Sequence, residues 1–177
     1  MLNHIIVLCF RLNGNPIGDN GLLPVLQAVK KSTTLATFDI GHCEITDSGA
    51  EYIFRFLTNN QSVVDFTMSR NTLTKEGWTY IANALKENQY LKTLSIDACN
   101  IRDDELKVIC QGIEENKSLK CIDIEDNHFT DEGGECLLQA VEKCFTLLDL
   151  TLEPCNGLSQ DIQERIRKLL EDRVESL

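Results

Sequence analysis

The side chains that could do chemistry are three histidines, eight cysteines and carboxylates concentrated in the second half of the chain. The segment Asp123-Ile124-Glu125-Asp126-Asn127-His128 resembles the opening of a calcium-binding loop. Such a loop needs glycine at its sixth position and a bidentate glutamate at its twelfth. His128 and Gly134 stand there instead, so no metal is expected. A cysteine nucleophile needs an exposed thiol beside a base, and no motif ties His4, His42 or His128 to a cysteine. The patterns G-x-x-x-x-G-K, G-x-G-x-x-G and G-x-S-x-G are all missing from the sequence, which removes the common phosphate-cradle and nucleophile-elbow chemistries. Neither an enzyme nor a cofactor is expected.

The cysteines stand at 9, 43, 99, 110, 121, 136, 144 and 155, with no C-x-x-C pair among them. A zinc ribbon or a thioredoxin-type redox site therefore has no support. An even count permits a disulfide framework, but 177 residues at 42% hydrophobic can build a core without staples. Buried free thiols in a reducing, cytoplasmic compartment are expected. Asn60-Gln61-Ser62 and Asn116-Lys117-Ser118 match the glycosylation pattern, which is too short to imply secretion. No stretch is long and apolar enough to span a membrane.

The net charge of -11 is uneven. Residues 1–88 hold eight acids and seven bases, leaving twenty acids and ten bases for residues 89–177. A field of that sign repels nucleic acid and anionic lipid and attracts basic surfaces. The expected partner is a basic protein, with neither nucleic acid nor membrane.

What positions these acids is a repeat. Asn15, Cys43, Asn71, Cys99, Asn127 and Cys155 follow one another at a constant spacing of 28 residues. Eight residues before each of these rungs stand Val7, Leu35, Val63, Leu91, Leu119 and Leu147; five before stand Phe10, Phe38, Phe66, Leu94, Ile122 and Leu150. Three before stand Leu12, Ile40, Met68, Ile96, Ile124 and Leu152. Six after stand Gly21, Gly49, Gly77 and Gly133, with Glu105 and Asp161 departing. The apolar pair before each rung reads as a short strand with one buried face. Apolar residues then recur at helical spacing, as in Ala50, Ile53, Phe54 and Leu57 or Trp78, Ile81, Ala82 and Leu85. Each unit is strand, turn, helix, and Trp78 falls on a core stripe. Strands are expected near 10–12, 38–40, 66–68, 94–96, 122–124 and 150–152, with helices at 20–31, 48–59, 76–87, 104–115 and 132–143.

This pattern, L-x-x-L-x-L-x-x-(N/C)-x-L, is the leucine-rich-repeat signature. Its period and its alternation of Asn with Cys resemble the ribonuclease-inhibitor-like subfamily. Ribonuclease inhibitor, NOD-like receptors, Ran GTPase-activating protein and tropomodulin carry such repeats. The resemblance implies an α/β solenoid of about six repeats, with a curved parallel sheet on the concave face and helices on the convex face. It implies non-catalytic protein binding, by a scaffold through its concave or rim surface. It leaves open a repeat fragment of a larger regulator such as a NOD-like receptor, or a GTPase-activating type of regulator.

Residues 1–158 read as the repeat array and 159–177 as a capping helix. Ser159 is suited to start that helix, with Glu164–Lys168 and Arg167–Glu171 pairs along it. Ile162, Ile166, Leu169, Leu170 and Val174 form its apolar stripe, expected to close that end. Nothing similar precedes Val7, so Val7, Phe10 and Leu12 are expected to form an open edge for self-association. The candidate partner-binding residues are Asp39, Asp97, Asp123, Glu125 and Glu153, which point outward between the buried strand positions, together with Asp126 just before its rung.

Overall fold

A computed structural model describes residues 7–153 and 157–176. Six three-residue strands form one parallel sheet in chain order: β1 (Cys9–Arg11), β2 (Thr37–Asp39), β3 (Asp65–Thr67), β4 (Thr93–Ser95), β5 (Cys121–Asp123) and β6 (Asp149–Thr151). Each residue pairs with the one 28 positions later, as Phe38 with Phe66 and Phe66 with Leu94. Helices α1 (Gly18–Val29), α2 (Asp47–Leu57), α3 (Lys75–Glu87), α4 (Asp103–Glu115) and α5 (Asp131–Lys143) return the chain between strands, and α6 (Gln160–Glu175) follows the last. The strands start one residue earlier than the apolar pairs predict. Ladder bonds continue past them, from Ile40 N–H to Thr67 O and from His42 N–H to Ser69 O, but the backbone turns at His42 (φ 51°). α1 likewise opens at Gly18, two residues earlier than its apolar residues predict.

The core lies between sheet and helices. Phe38, Phe66, Ile96, Ile109 and Leu137 are fully buried in it, and Phe10, Phe38 and Phe66 stack at 6.0 and 5.9 Å. Trp78 is packing, as its register predicts, though its Nε1 has no hydrogen-bond partner.

Three columns of polar side chains lock one unit to the next. The first is the rung itself. Asn71 Oδ1 accepts from the N–H groups of Cys43 (3.1 Å) and Ile45 (2.9 Å), and its Nδ2 donates to Ile40 O and Met68 O. Asn127 repeats this toward Cys99 and Ile101. Glu44 and Asn100, each following a Cys rung, are left-handed (φ 59°). That turn points both flanking N–H groups at the single Asn oxygen. Asn and Cys rungs thus form pairs, with the Asn tying down the Cys unit before it. Cys43 and Cys99 are buried; Cys155 lies outside the described residues. The seven described cysteines are free thiols, and burial pushes Cys99 up to about 12.

The second column comprises Asn60, Asn88 and Asn116, after the helices. Asn88 Nδ2 reaches back to Leu57 O (2.7 Å) while its Oδ1 caps Tyr90 and Leu91 N–H; Asn116 does the same one unit later. The next position of this column is Cys144, whose Sγ reaches Asn116 O, and one unit further on Arg173 of α6 donates to Val141 O and Cys144 O, the carbonyls an Asn there would take. α6 therefore closes the helix layer by side-chain mimicry as well as by burying Ile162, Ile166 and Leu170. Its expected stripe needs correction. Leu169 is half-buried and Val174 is 52% exposed. Ser159 provides no side-chain cap; its N–H donates to Asp131. Glu164 bonds Arg167, which also pairs with Glu171 (3.2 Å), and a Glu164–Lys168 bridge does not form.

The third column comprises Asp19, Asp47, Asp103 and Asp131 at the helix starts. Asp103 accepts from Thr130 N–H (2.8 Å), Thr130 Oγ1 (2.9 Å) and Gly133 N–H (2.9 Å). Burial alone would push the Asp103 carboxyl up, but these bonds outweigh it and hold it below its ordinary value. The column explains the repeating glycine. A Cβ on Gly133 would lie 2.6 Å from Asp103 Oδ1. It also explains one departure from the repeat. Lys75 replaces the aspartate, so position 105 is released from glycine, and Glu105 carboxylate accepts the Arg102 N–H itself (3.1 Å). A double-mutant cycle should expose the coupling. Asp103→Ala and Gly133→Ala should each destabilise by about 1–2 kcal/mol. The double variant should fall short of their sum by about 1 kcal/mol, because alanine no longer meets a carboxylate. Additive losses in urea unfolding would break the link.

Candidate acidic interface

The outward positions of each strand lie six, four and two residues before the rung, and equivalent positions on adjacent rungs stand about 4.8 Å apart. Asp97, Glu125 and Glu153 occupy the last of these on rungs four, five and six, and Asp123 sits beside Glu125. Asp123 is half-buried, and its Oδ1 accepts from Glu125 N–H at 3.2 Å. Burial pushes its carboxyl up, with Asp97 and Asp149 adding to the shift. Glu125 is raised chiefly by Asp123, then by burial, Asp97 and Asp126. Asp126 is exposed at the rim in a left-handed turn (φ 52°). These groups share one field.

Two of the six candidates stand differently. Asp39 is on β2, two rungs before Asp97, and its Oδ1 accepts from Gly41 N–H (2.9 Å). It is not part of the cluster. Glu153 is exposed on the last rung, where the sheet ends. The sequence reading missed Asp149. The apolar pair alone marks two outward places per strand, whereas the earlier strand start adds a third. The signal was available: Asp65 and Asp149 sit one residue before the strand pair it used.

Four of the ten cations of the second half are in ion pairs away from this face, and Arg173 is taken up by backbone carbonyls. Lys107 bridges Glu132, Lys143 bridges Glu114, and Arg165 bridges Glu135, all between helices. Among the described residues, no ion pair involves Asp97, Asp123, Glu125 or Asp126, and no cluster of His, Cys, Asp and Glu side chains has metal-holding geometry. Ser69 Oγ donates to Asp97, which orients that carboxylate without neutralising it. The face is an array of uncompensated carboxylates on a rigid sheet. It can attract and orient cations; it holds no base–nucleophile pair.

Comparison with known proteins agrees with this architecture. A family model described as Leucine Rich repeat matches residues 7–26, 31–54 and 115–138. The structure of leiomodin-1 actin-binding site 2 superimposes with a TM-score of 0.76 at 17% identity, over 85% of this chain and 88% of that one. The fold is a leucine-rich-repeat solenoid. The tropomodulin C-terminal domain of Caenorhabditis elegans is similar over 89% of this chain and 94% of its own, with a TM-score of 0.73 at 12% identity. No curated protein sequence matches. No helix among the described residues is long and apolar enough to cross a membrane.

The raised carboxyls give a pH prediction for the solenoid. A folded-state value above the unfolded one means that the folded chain binds more protons just above the ordinary carboxylate range. Stability from these groups therefore falls as pH rises through that window. Asp123→Asn keeps an acceptor for Glu125 N–H and removes a charge. It should raise stability at neutral pH by about 0.5 kcal/mol, and the gain should vanish as pH drops below the carboxylate range. Urea melts at three pH values would measure it. A loss at neutral pH would mean that Asp123 is a structural anchor.

Proposed function

We propose that this solenoid is a non-catalytic scaffold that captures a basic protein partner on its concave acidic face. Asp97, Asp123, Glu125, Asp126 and Glu153 carry the contact, and Asp39 forms an outlying part of the same surface. The supporting observation is the cost of that face: adjacent carboxylates raise one another, and among the described residues no lysine or arginine forms an ion pair with them. A partner's cations relieve the repulsion and gain long-range steering. Residues 1–158 act as the array and 159–177 as the helix that closes its helix layer, in the manner of ribonuclease-inhibitor-like repeats. The free thiols are compatible with a reducing, cytoplasmic setting.

The first strand supplies a second contact. Val7 is 41% exposed, and Phe10 and Leu12 are half-buried at the outer side of β1. We assign self-association to this edge. Charging Phe10 should alter the sedimentation coefficient while leaving partner capture intact.

Affinity capture from lysate at low and high salt, using the wild-type chain and an Asp97→Lys/Asp123→Lys/Glu125→Lys variant, tests the main reading. A partner lost both at high salt and with the variant supports it; a partner retained in both sinks it. The likeness to leiomodin-1 actin-binding site 2 favours a second reading, in which the partner is actin. Co-sedimentation with actin filaments separates the two.

A further inference from the structure

The last edge of the sheet is less closed than the helix layer. On the inner strands Phe38, Phe66, Leu94 and Ile122 are buried, sealed by a rung on each side. Their counterpart on β6, Leu150, is only half-buried, and Leu152 beside it likewise. The expectation that the terminal helix closes this end holds for the helix layer only: α6 packs on α5, while Leu150 and Leu152 of the last strand stay partly open beside it. A groove of about 650 Å³ remains between them. Leu150, Leu152, Ile166, Leu170 and Val174 form its floor. Asp149, Glu153, Glu171 and Glu175 form its rim, and Arg167, the one lining cation among the described residues, already bridges Glu164 and Glu171.

We propose that this groove binds an extended basic segment of a partner protein as a seventh strand. Asp149 N–H donates to Lys120 O, and Thr151 O accepts from Ile124 N–H, so these residues face β5. In a parallel ladder alternate residues bond to opposite sides, which turns the Leu150 backbone toward the groove. An incoming strand would put alternate side chains on Leu150 and α6, where branched apolar groups fit. Its other side chains would lie beside Asp149, Thr151 and Glu153, where opposite charge stabilises. A second copy of this chain is the poorer match, because its own edge strand, Cys9–Arg11, carries one base. The groove shares Asp149 and Glu153 with the acidic face, so it is tested through the α6 residues that belong to it alone.

The test is a fluorescence-anisotropy titration of the full chain with a labelled nine-residue peptide alternating lysine and valine. Comparators are the same composition in two blocks, glutamate in place of lysine, and an alternating peptide with backbone N-methyl groups along one edge. The alternating peptide should bind at least about tenfold more tightly than each comparator. Val174→Asp, and separately Glu171→Lys with Glu175→Lys, should weaken it by about tenfold or more. Asp97→Asn with Asp123→Asn should leave it within about twofold. Absence of binding, equal binding of the block peptide, or indifference to Val174→Asp overturns the proposal. Sensitivity to the Asp97 pair alone would support the concave-face reading and sink this one. Dimerisation abolished by Val174→Asp would overturn it in favour of a second copy.

Discussion

Asn71→Ala should lower the unfolding free energy by about 4 kcal/mol, while Asn15→Ala should cost under about 1 kcal/mol. Both are rung asparagines and look alike in the sequence. Asn71 is buried and satisfies two N–H groups of the unit before it and two carbonyls. Its loss strands four buried backbone groups, each costing roughly 1 kcal/mol or more when left unpaired. Asn15 is exposed and bonds only within its own turn, to Leu12 O (2.7 Å) and Asn13 O (3.4 Å). Urea unfolding of the two variants compares them directly. Equal losses would mean that the rung acts through space-filling and not through its amide.

Gly112→Ala should cost about 3 kcal/mol. A Cβ there would lie 2.7 Å from Ala82 O, 2.8 Å from Ala82 Cα and 3.1 Å from its carbonyl carbon. All three are backbone atoms of α3, so α3 and α4 would have to separate. Alanine's better helix propensity, about 1 kcal/mol over glycine, is too small to offset that. Gly134→Ala should cost less, since its nearest neighbours are the side-chain ends of Leu158 and Ile162, which can shift. Because each unit touches only its neighbours, splitting the stack at this point should also broaden the unfolding transition. A sharp transition with unchanged midpoint would contradict the close approach.

Much of this was legible in the residues. The 28-residue register located every strand to within one residue, because both the apolar pair and the ladder bonds repeat with it. Trp78 as core and the buried Cys43 and Cys99 rungs followed from the same register. The inter-unit stitches were not legible. Asp103 and Thr130 are 27 residues apart, and nothing in either residue alone says that one accepts from the other. Only the stacked geometry turns Lys75, Arg102 and Glu105 from three anomalies into one compensated junction. The acidic cluster was legible in outline. Asp39 separated from it because charge interactions decay over two rungs, and Asp149 joined it because pairing begins one residue before the apolar pattern does. The sheet end was misread because one amphipathic stripe on α6 was asked to cover two layers, and it covers the helix layer.

The uncompensated carboxylates on rungs four and five are expected to recruit a basic partner. The most direct test of that recruitment is the salt dependence of the association rate for the protein recovered by capture. The wild-type chain is compared with an Asp97→Asn/Asp123→Asn/Glu125→Gln variant, which retains side-chain shape. Exposed charges are screened over about 8 Å at physiological salt, so wild-type association should slow steeply from low to physiological salt. The variant should associate about tenfold more slowly at low salt with a much flatter dependence, and its dissociation rate should change little. Parallel salt curves and equal rates for the two chains would contradict the account.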